Sequence, residues 1–233
     1  MIVVVGSPVA RSGDARTAAA GLGADIARRA AASGAAVELV GRVGEDAAGD
    51  EVLLALAADG VGHVATLREP GRPTPTAPPS TGSVAPDSPD LGDALLAELD
   101  DEGAASPDAE AAADATAGTA GLSVDAGDLE LALRYLPDYR VLVVADDLDP
   151  AVLATVAAAA SWSGAMLVVV QSAAAASGSL PDDATVLARP ARDPDGAFAA
   201  MVAAYVVALD QGAEPRAAFA GAQRTGGWAA VAD

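Results

Sequence analysis

Ala184-Thr-Val-Leu-Ala-Arg-Pro-Ala-Arg-Asp-Pro-Asp-Gly-Ala-Phe198 leads into an alanine-rich apolar run that ends at Leu209, just before Asp210-Gln-Gly212. Residues 184–188 read as a strand, the Pro- and Asp-rich middle as a turn, and 196–209 as a long helix. In an α/β protein such a turn points backbone N–H groups past the strand end, where phosphate is the usual guest. Whether the chain performs chemistry therefore depends on what this turn carries.

Working outward, the same alternation recurs. Residues 2–5 form a continuous β-branched run, as expected of an interior strand of a parallel sheet. A short polar stretch, 9–17, precedes a helix over 18–33 with Gly34 after it. Residues 36–40 read as a strand, 41–44 as a turn, 46–59 as an amphipathic helix, and 61–67 as an edge strand. Residues 70–121 are dominated by Pro, Ala, Gly, Ser, Thr, Asp and Glu, a composition that cannot offset its chain entropy and predicts a disordered tether. Within it, Leu91, Leu95, Leu96 and Leu99 share one helical face, which predicts a short helix able to dock transiently. Beyond it come a helix capped by Ser123 and running to about 135, and a strand over 140–145. Asp149 is the N-cap of the next helix, with Pro150 in its first turn; a strand over 165–170 follows. A last helix covers about 214–224. The expected organisation is one α/β domain made of residues 1–69 and 122–233, interrupted by a low-complexity insertion at 70–121.

Composition narrows the function. The 233 residues carry a formal charge of −20, and all 13 basic residues are Arg. Such a surface repels nucleic acid and anionic membrane. The bias fits a high-GC genome and a salt-adapted cytoplasm alike. There is no cysteine, hence no disulfide framework or thiol nucleophile, which fits a cytoplasmic location. Residues 1–5 lack a basic n-region and are too short for a signal h-region. Residues 150–181 are uncharged, but Ser161-Trp-Ser-Gly164 divides them into a buried helix and a buried strand, not a membrane span.

Gly41-Arg-Val-Gly-Glu-Asp-Ala-Ala-Gly49 resembles the V-G-x-D-x-x-G signature of the ribokinase-like (PfkB) carbohydrate kinases. Other pieces follow in the family's order. Val5-Gly6-Ser7 resembles its opening V-G-S, and Ala20-Gly-Leu-Gly-Ala-Asp25 its G-G-x-G-A-N segment. Asp59-Gly-Val61, Leu122-Ser-Val-Asp125 and Leu136-Pro-Asp-Tyr-Arg-Val-Leu142 match later helix and strand ends, and 193–198 lies in register with G-A-G-D-A-F. The resemblance implies a three-layer ribokinase-like sandwich with a mostly parallel sheet. It also implies ATP and Mg²⁺ as cofactors if the chain is active, and a sugar or nucleoside as substrate.

The departures from the family pattern are as informative. The family's lid strands follow the first and third strands; here the first insertion shrinks to 9–17 and the second becomes the tether, so the lid is absent or reduced and no lid-mediated dimer is expected. The N-x-x-E element of the nucleotide half is not found. Gly196 holds the position of the catalytic Asp, and Asp193, Pro194 and Asp195 line the would-be anion hole. A one-residue shift makes Asp195 the base; otherwise it is a solvated helix-start carboxylate. The resemblance marks Asp193, Gly196 and Ala197 as phosphate-site positions, and Gly23 and Asp25 as substrate-site positions. Asp146, Asp147 and Asp149 end a strand and could bind Mg²⁺; the alternative is a cap at Asp149 beside two solvated carboxylates. His63, with no evident Ser, Cys or Glu partner, and Trp162 and Trp228 read as structural. There is no Lys and hence no G-x-x-x-x-G-K-[ST] loop. Two functions remain: a catalytically inactive or impaired kinase homologue that binds a small molecule or an assembly partner, and a divergent active kinase using Asp195.

Overall fold

A computed structural model describes residues 1–13, 16–77, 122–136, 138–173, 180–193 and 195–225. β1 (Ile2–Val5), β4 (Val37–Gly44), β5 (Thr66–Glu69), β7 (Val141–Val144), β8 (Met166–Gln171) and β9 (Thr185–Ala188) form one sheet in the order β5-β4-β1-β7-β8-β9. All of its pairings are parallel. β1 and β7 are buried along their whole length, so their unbroken aliphatic runs meet apolar side chains on both faces.

Successive side chains point to opposite faces and feed two cores. Ile2, Val4, Leu39, Val143 and Val168 pack under α1 (Leu22–Ala32), α2 (Ala47–Ala58), α5 (Ala197–Asp210) and α6 (Pro215–Thr225). Val3, Val5, Leu142, Val144 and Val169 pack under α3 (Ala126–Tyr135) and α4 (Pro150–Ser163). This is a three-layer α/β/α sandwich. α5 is apolar almost all round because it lies against the sheet, α1 and α6 at once. Its Tyr205 shares a hydrogen bond with Thr185 at 3.0 Å and meets Phe219 edge-on at 5.6 Å.

A second sheet sits over α1 and α2, with β2 (Val9–Ser12) between antiparallel β3 (Thr17–Ala20) and parallel β6 (Thr76–Ala77). It corrects three expectations. The polar stretch after β1 is a strand. Residues 17–20 form a strand, so α1 starts at Leu22 and not at 18. Residues 70–77 are not part of a loose tether: Thr74 is 3% exposed and β6 follows directly. The rest of the expected tether, 78–121, with its leucine face, lies outside the described residues. The lid of the sequence expectation is thus reduced to three short strands.

The 41–44 turn is also corrected: β4 runs straight through it, because these residues pair in parallel with β5. Asp46 fixes the end of the strand. Its carboxylate caps α2 through the Gly49 N–H at 2.8 Å and accepts from the Thr74 hydroxyl at 2.6 Å and the Thr74 N–H at 2.9 Å. Thr74 Oγ1 in turn accepts from the Gly44 N–H at 2.9 Å. The V-G-x-D-x-x-G signature is therefore a clasp that fastens β6 to the end of β4, and those hydrogen bonds, led by the Thr74 hydroxyl, hold the Asp46 carboxyl below its usual range. Ser123 does not cap α3; Asp125 does, accepting from Asp128 N.

Asp46→Ala should cost about 2 kcal/mol, a lost cap plus lost hydrogen bonds to Thr74, read as a lower Tm at pH 7. A depressed carboxyl adds stability above its unfolded pKa and loses it as pH falls through the folded one, so the gap to wild type should narrow below about pH 4.

Candidate functional site

The end of β1 lies against β4 and the start of α1 through close backbone contacts at glycines. A Cβ on Gly41 would lie 2.5 Å from the Gly6 carbonyl oxygen, and one on Gly23 3.3 Å from the Gly6 Cα. α1 thus begins directly over the end of β1, entered through Gly21 at φ +97°. Ser7 follows, and its N–H donates to Asp146 at 2.7 Å while its hydroxyl donates to the Leu122 carbonyl at 2.7 Å. Burial raises the Asp146 carboxyl above the usual range against the Ser7 hydrogen bond.

Charged groups from three elements gather above this floor. Asp25, one turn into α1, is half-buried and 3.8 Å from Arg28. Arg28 also binds the Ala19 carbonyl at 3.3 Å and the Asp59 carboxylate. Burial lifts the Asp25 carboxyl, opposed by the fields of Arg11, Arg28 and Arg29 and assisted by that of Asp193. Arg11 on β2, Asp25, Arg28 and Arg29 on α1, and Asp193 before α5 form one electrostatic cluster.

The turn before α5 is closed by its own side chain. Asp193 Oδ1 accepts from the Phe198 N–H at 3.0 Å and Oδ2 from the Ala199 N–H at 3.1 Å. Those are first-turn donors of α5, the groups that would otherwise face an anion. Gly196 adopts φ +65°, and a Cβ there would lie 2.6 Å from an Arg29 guanidinium nitrogen. The turn and α1 are packed together through that missing side chain.

No family model and no curated protein matches the chain. Solved structures do. Arabidopsis thaliana ribokinase, determined with ribose and ATP, superposes with a TM-score of 0.57 at 16% identity, covering 95% of this chain and 89% of that one. An E. coli protein assigned as a ribokinase II, determined with ATP and Mg²⁺, gives 0.60 at 12% identity, over 97% and 91%. A Staphylococcus aureus protein assigned as a phosphofructokinase gives 0.52 at 13%, over 97% and 90%. The fold is that of ribokinase.

On this ribokinase-like frame the expected site positions separate. Asp25 lies in the fields of Arg29 and Asp193, and Gly196 packs against Arg29. Gly23 is buried against Gly6 and Ala145, Ala197 is the first residue of α5, and Asp195 is exposed. Asp193, and not Asp195, is the carboxylate on the helix start. Asp149 caps α4 at 2.8 Å, as expected. Asp146 and Asp147 are not simply solvated: Asp146 binds Ser7, and Asp147 accepts from the Ser172 N–H at 2.9 Å and pairs with Arg189 at 3.3 Å. Among the described residues no group of three His, Cys, Asp or Glu is arranged to hold a metal ion. His63 does have a carboxylate neighbour, Glu38, whose carboxyl burial raises. Trp162 is 92% exposed, so it packs no core; Trp228 lies outside the described residues. No described helix is long and apolar enough to cross a membrane.

Sequence reasoning missed Arg11, Arg28 and Arg29. The i, i+3, i+4 spacing of Asp25, Arg28 and Arg29 on one predicted helix was the available signal. Replacing Asp146 by Asn keeps an acceptor for Ser7 and removes a desolvated charge. A raised carboxyl costs stability once pH exceeds its folded pKa, so Asp146→Asn should raise Tm at pH 8, with the gain fading toward pH 4. Melting curves of both proteins across that range provide the check.

Proposed function

We propose that this chain is a non-catalytic relative of the ribokinase-like sugar kinases that keeps a small-molecule site and has given up phosphoryl transfer. The supporting observation is the seat of Asp193 on the Phe198 and Ala199 N–H groups. Phosphoryl transfer relies on positioning and on neutralising charge at the transferred group. Here a carboxylate already fills the donors that would do this and adds negative charge at the same place. The catalytic-base position is Gly196, which has no side chain, and Asp195 is exposed. The residues at this turn do not fit an ATP phosphate, so no step through ATP or Mg²⁺ is derived.

The sugar side remains serviceable. Asp25 can accept hydroxyl protons, and Arg11, Arg28 and Arg29 can donate to hydroxyl or carbonyl oxygens. A sugar or nucleoside is the ligand class these groups suit, and the neighbours determined with ribose and ATP support that class. The small sheet would form the far wall of the site. The expected domain organisation, one α/β unit interrupted by the insertion, belongs to this proposal.

Thermal-shift titration tests both halves of the proposal, because a ligand of the native state raises Tm by mass action. Wild type should show no dose-dependent rise with ATP plus Mg²⁺ and a saturable rise with at least one sugar or nucleoside of a panel. Asp193→Ala should lower Tm by roughly 2–4 °C, as loss of a cap worth about 1 kcal/mol implies, with partial recovery in added phosphate. Phosphorylation of a sugar from ATP that Asp195→Asn abolishes would establish the active-kinase alternative instead. A flat response to every sugar and nucleoside would overturn the binding half.

A further inference from the structure

The main sheet ends at β9, and among the described residues no strand pairs with its outer side. The Arg189 N–H donates to the Gln171 carbonyl at 2.8 Å, so by the two-residue alternation of a strand Thr185 and Leu187 turn their backbone groups toward β8. Val186 and Ala188 turn theirs outward, where no described group meets them. Both residues are exposed, Val186 at 49%, whereas Leu187 is buried. A row of free N–H and C=O groups beside an exposed valine is a template for a further strand. The opposite edge of the sheet is blunted by charge: Arg68 and Glu69 of β5 are tied to Asp50 and Arg42. The flanks of β9 are freer. Arg189 is tied to Asp147, but Asp182 and Asp183 before the strand and Arg192 after it are exposed and make no ion pair among the described residues. The two aspartates sit in the turn that the Ala184 N–H closes on the Pro181 carbonyl at 3.0 Å.

We propose that the partner of this edge is β9 of a second copy, paired antiparallel about a two-fold axis at Leu187. Charge selects both the partner and the direction. The chain is acidic just before β9 and basic just after it, so two antiparallel copies bring each acidic end to the other's basic end. Parallel copies would set like charges together. The two-fold axis makes the contact isologous, with the same edge used by both copies. In the register centred on Leu187, Val186 exchanges both of its backbone hydrogen bonds with Ala188 of the partner subunit, and Ala188 does so with Val186 of the partner subunit. Every outward backbone group of the strand is then used. The same register sets Arg192 beside Asp182 of the partner subunit, and Asp182 beside the partner's Arg192. Pro190 has no N–H to donate and ends the ladder just beyond Ala188. Because the paired strands are short, the dimer is a weak one that forms as concentration rises.

Analytical ultracentrifugation of the full chain over a concentration series tests this. Physiological salt is needed, because a net charge of −20 opposes self-association when it is unscreened. Wild type should pass from monomer to dimer as concentration rises. Val186→Lys puts a cation on the edge and should weaken the dimer about tenfold or more. Asp182→Arg and Arg192→Asp each set like charges together at both ends of the ladder, and each should weaken it by roughly tenfold. Mixed in equal amounts, these two variants should form a heterodimer of near wild-type affinity, since both cross-strand pairs are then opposite in sign. Recovery in the mixture cannot come from misfolded chains. A wild type that stays monomeric up to its solubility limit would leave the edge to solvent or to a strand of another protein, and overturns the proposal. A dimer that Val186→Lys leaves intact lies elsewhere on the molecule and overturns it equally. A mixture no more dimeric than its components overturns the antiparallel pairing.

Discussion

The approach of Gly41 to the Gly6 carbonyl, with room for a hydrogen and no carbon, is the constraint on which the rest of this molecule depends. It lets β1 leave the main sheet beside β4 and turn at once into the small sheet. The matching contact between Gly6 and Gly23 seats the start of α1 on the same strand end. A side chain at Gly41 would collide with the Gly6 backbone and force the two strands apart there, while one at Gly23 would demand a smaller shift. Asp46 and Thr74 complete the enclosure from the other side, since their hydrogen bonds hold β6 where it can pair with β2. A motif known by its sequence pattern thus acts here by fastening one sheet to another, and its carboxylate is spent on that task.

The same frame explains why closure of the α5 turn is economical. An α5 start pointed at the strand-end crevice exposes orphan N–H groups that need an acceptor. In a kinase the substrate phosphate can satisfy them transiently. In this chain Asp193 satisfies two permanently, and the helix gains a cap. Seating this carboxylate on the helix start therefore stabilises the ligand-free protein. Glycine suits position 196 because the backbone there is left-handed, and a side chain would also have to displace the Arg29 guanidinium.

The main sheet was legible because β1, β7 and β8 are valine-rich runs bounded by turn residues, and parallel interior strands carry that signature. Asp149-Pro150 gave the start of α4 for equally local reasons. The small sheet was not legible. β2, β3 and β6 contain residues such as Arg11, Ser12, Thr17 and Thr76, and their pairing is set by Asp46 and Thr74, 28 residues apart in sequence. Periodicity does not report such a long-range hydrogen bond. At the site, the turn of 193–196 was recognised, but which carboxylate sits on the helix start depends on backbone geometry at Gly196 that the residue order leaves open. The role of Trp162 failed in the opposite sense: an apolar helix around it reads as buried all round, whereas α4 has only one face against the sheet.

The distribution of charge links the two faces of the molecule. Residues 78–121 hold ten Asp and Glu and no Arg, half of the net charge of −20. Among the arginines, Arg42 acts as a clamp, bridging Glu69, Asp125 and Asp128 where α3 meets the end of β4. Arg28 works in the same way at the edge of the candidate site, binding the Asp59 carboxylate at the end of α2, the Ala19 carbonyl at the end of β3 and Asp25 on its own helix, so α1, α2 and the small sheet are held together by one guanidinium.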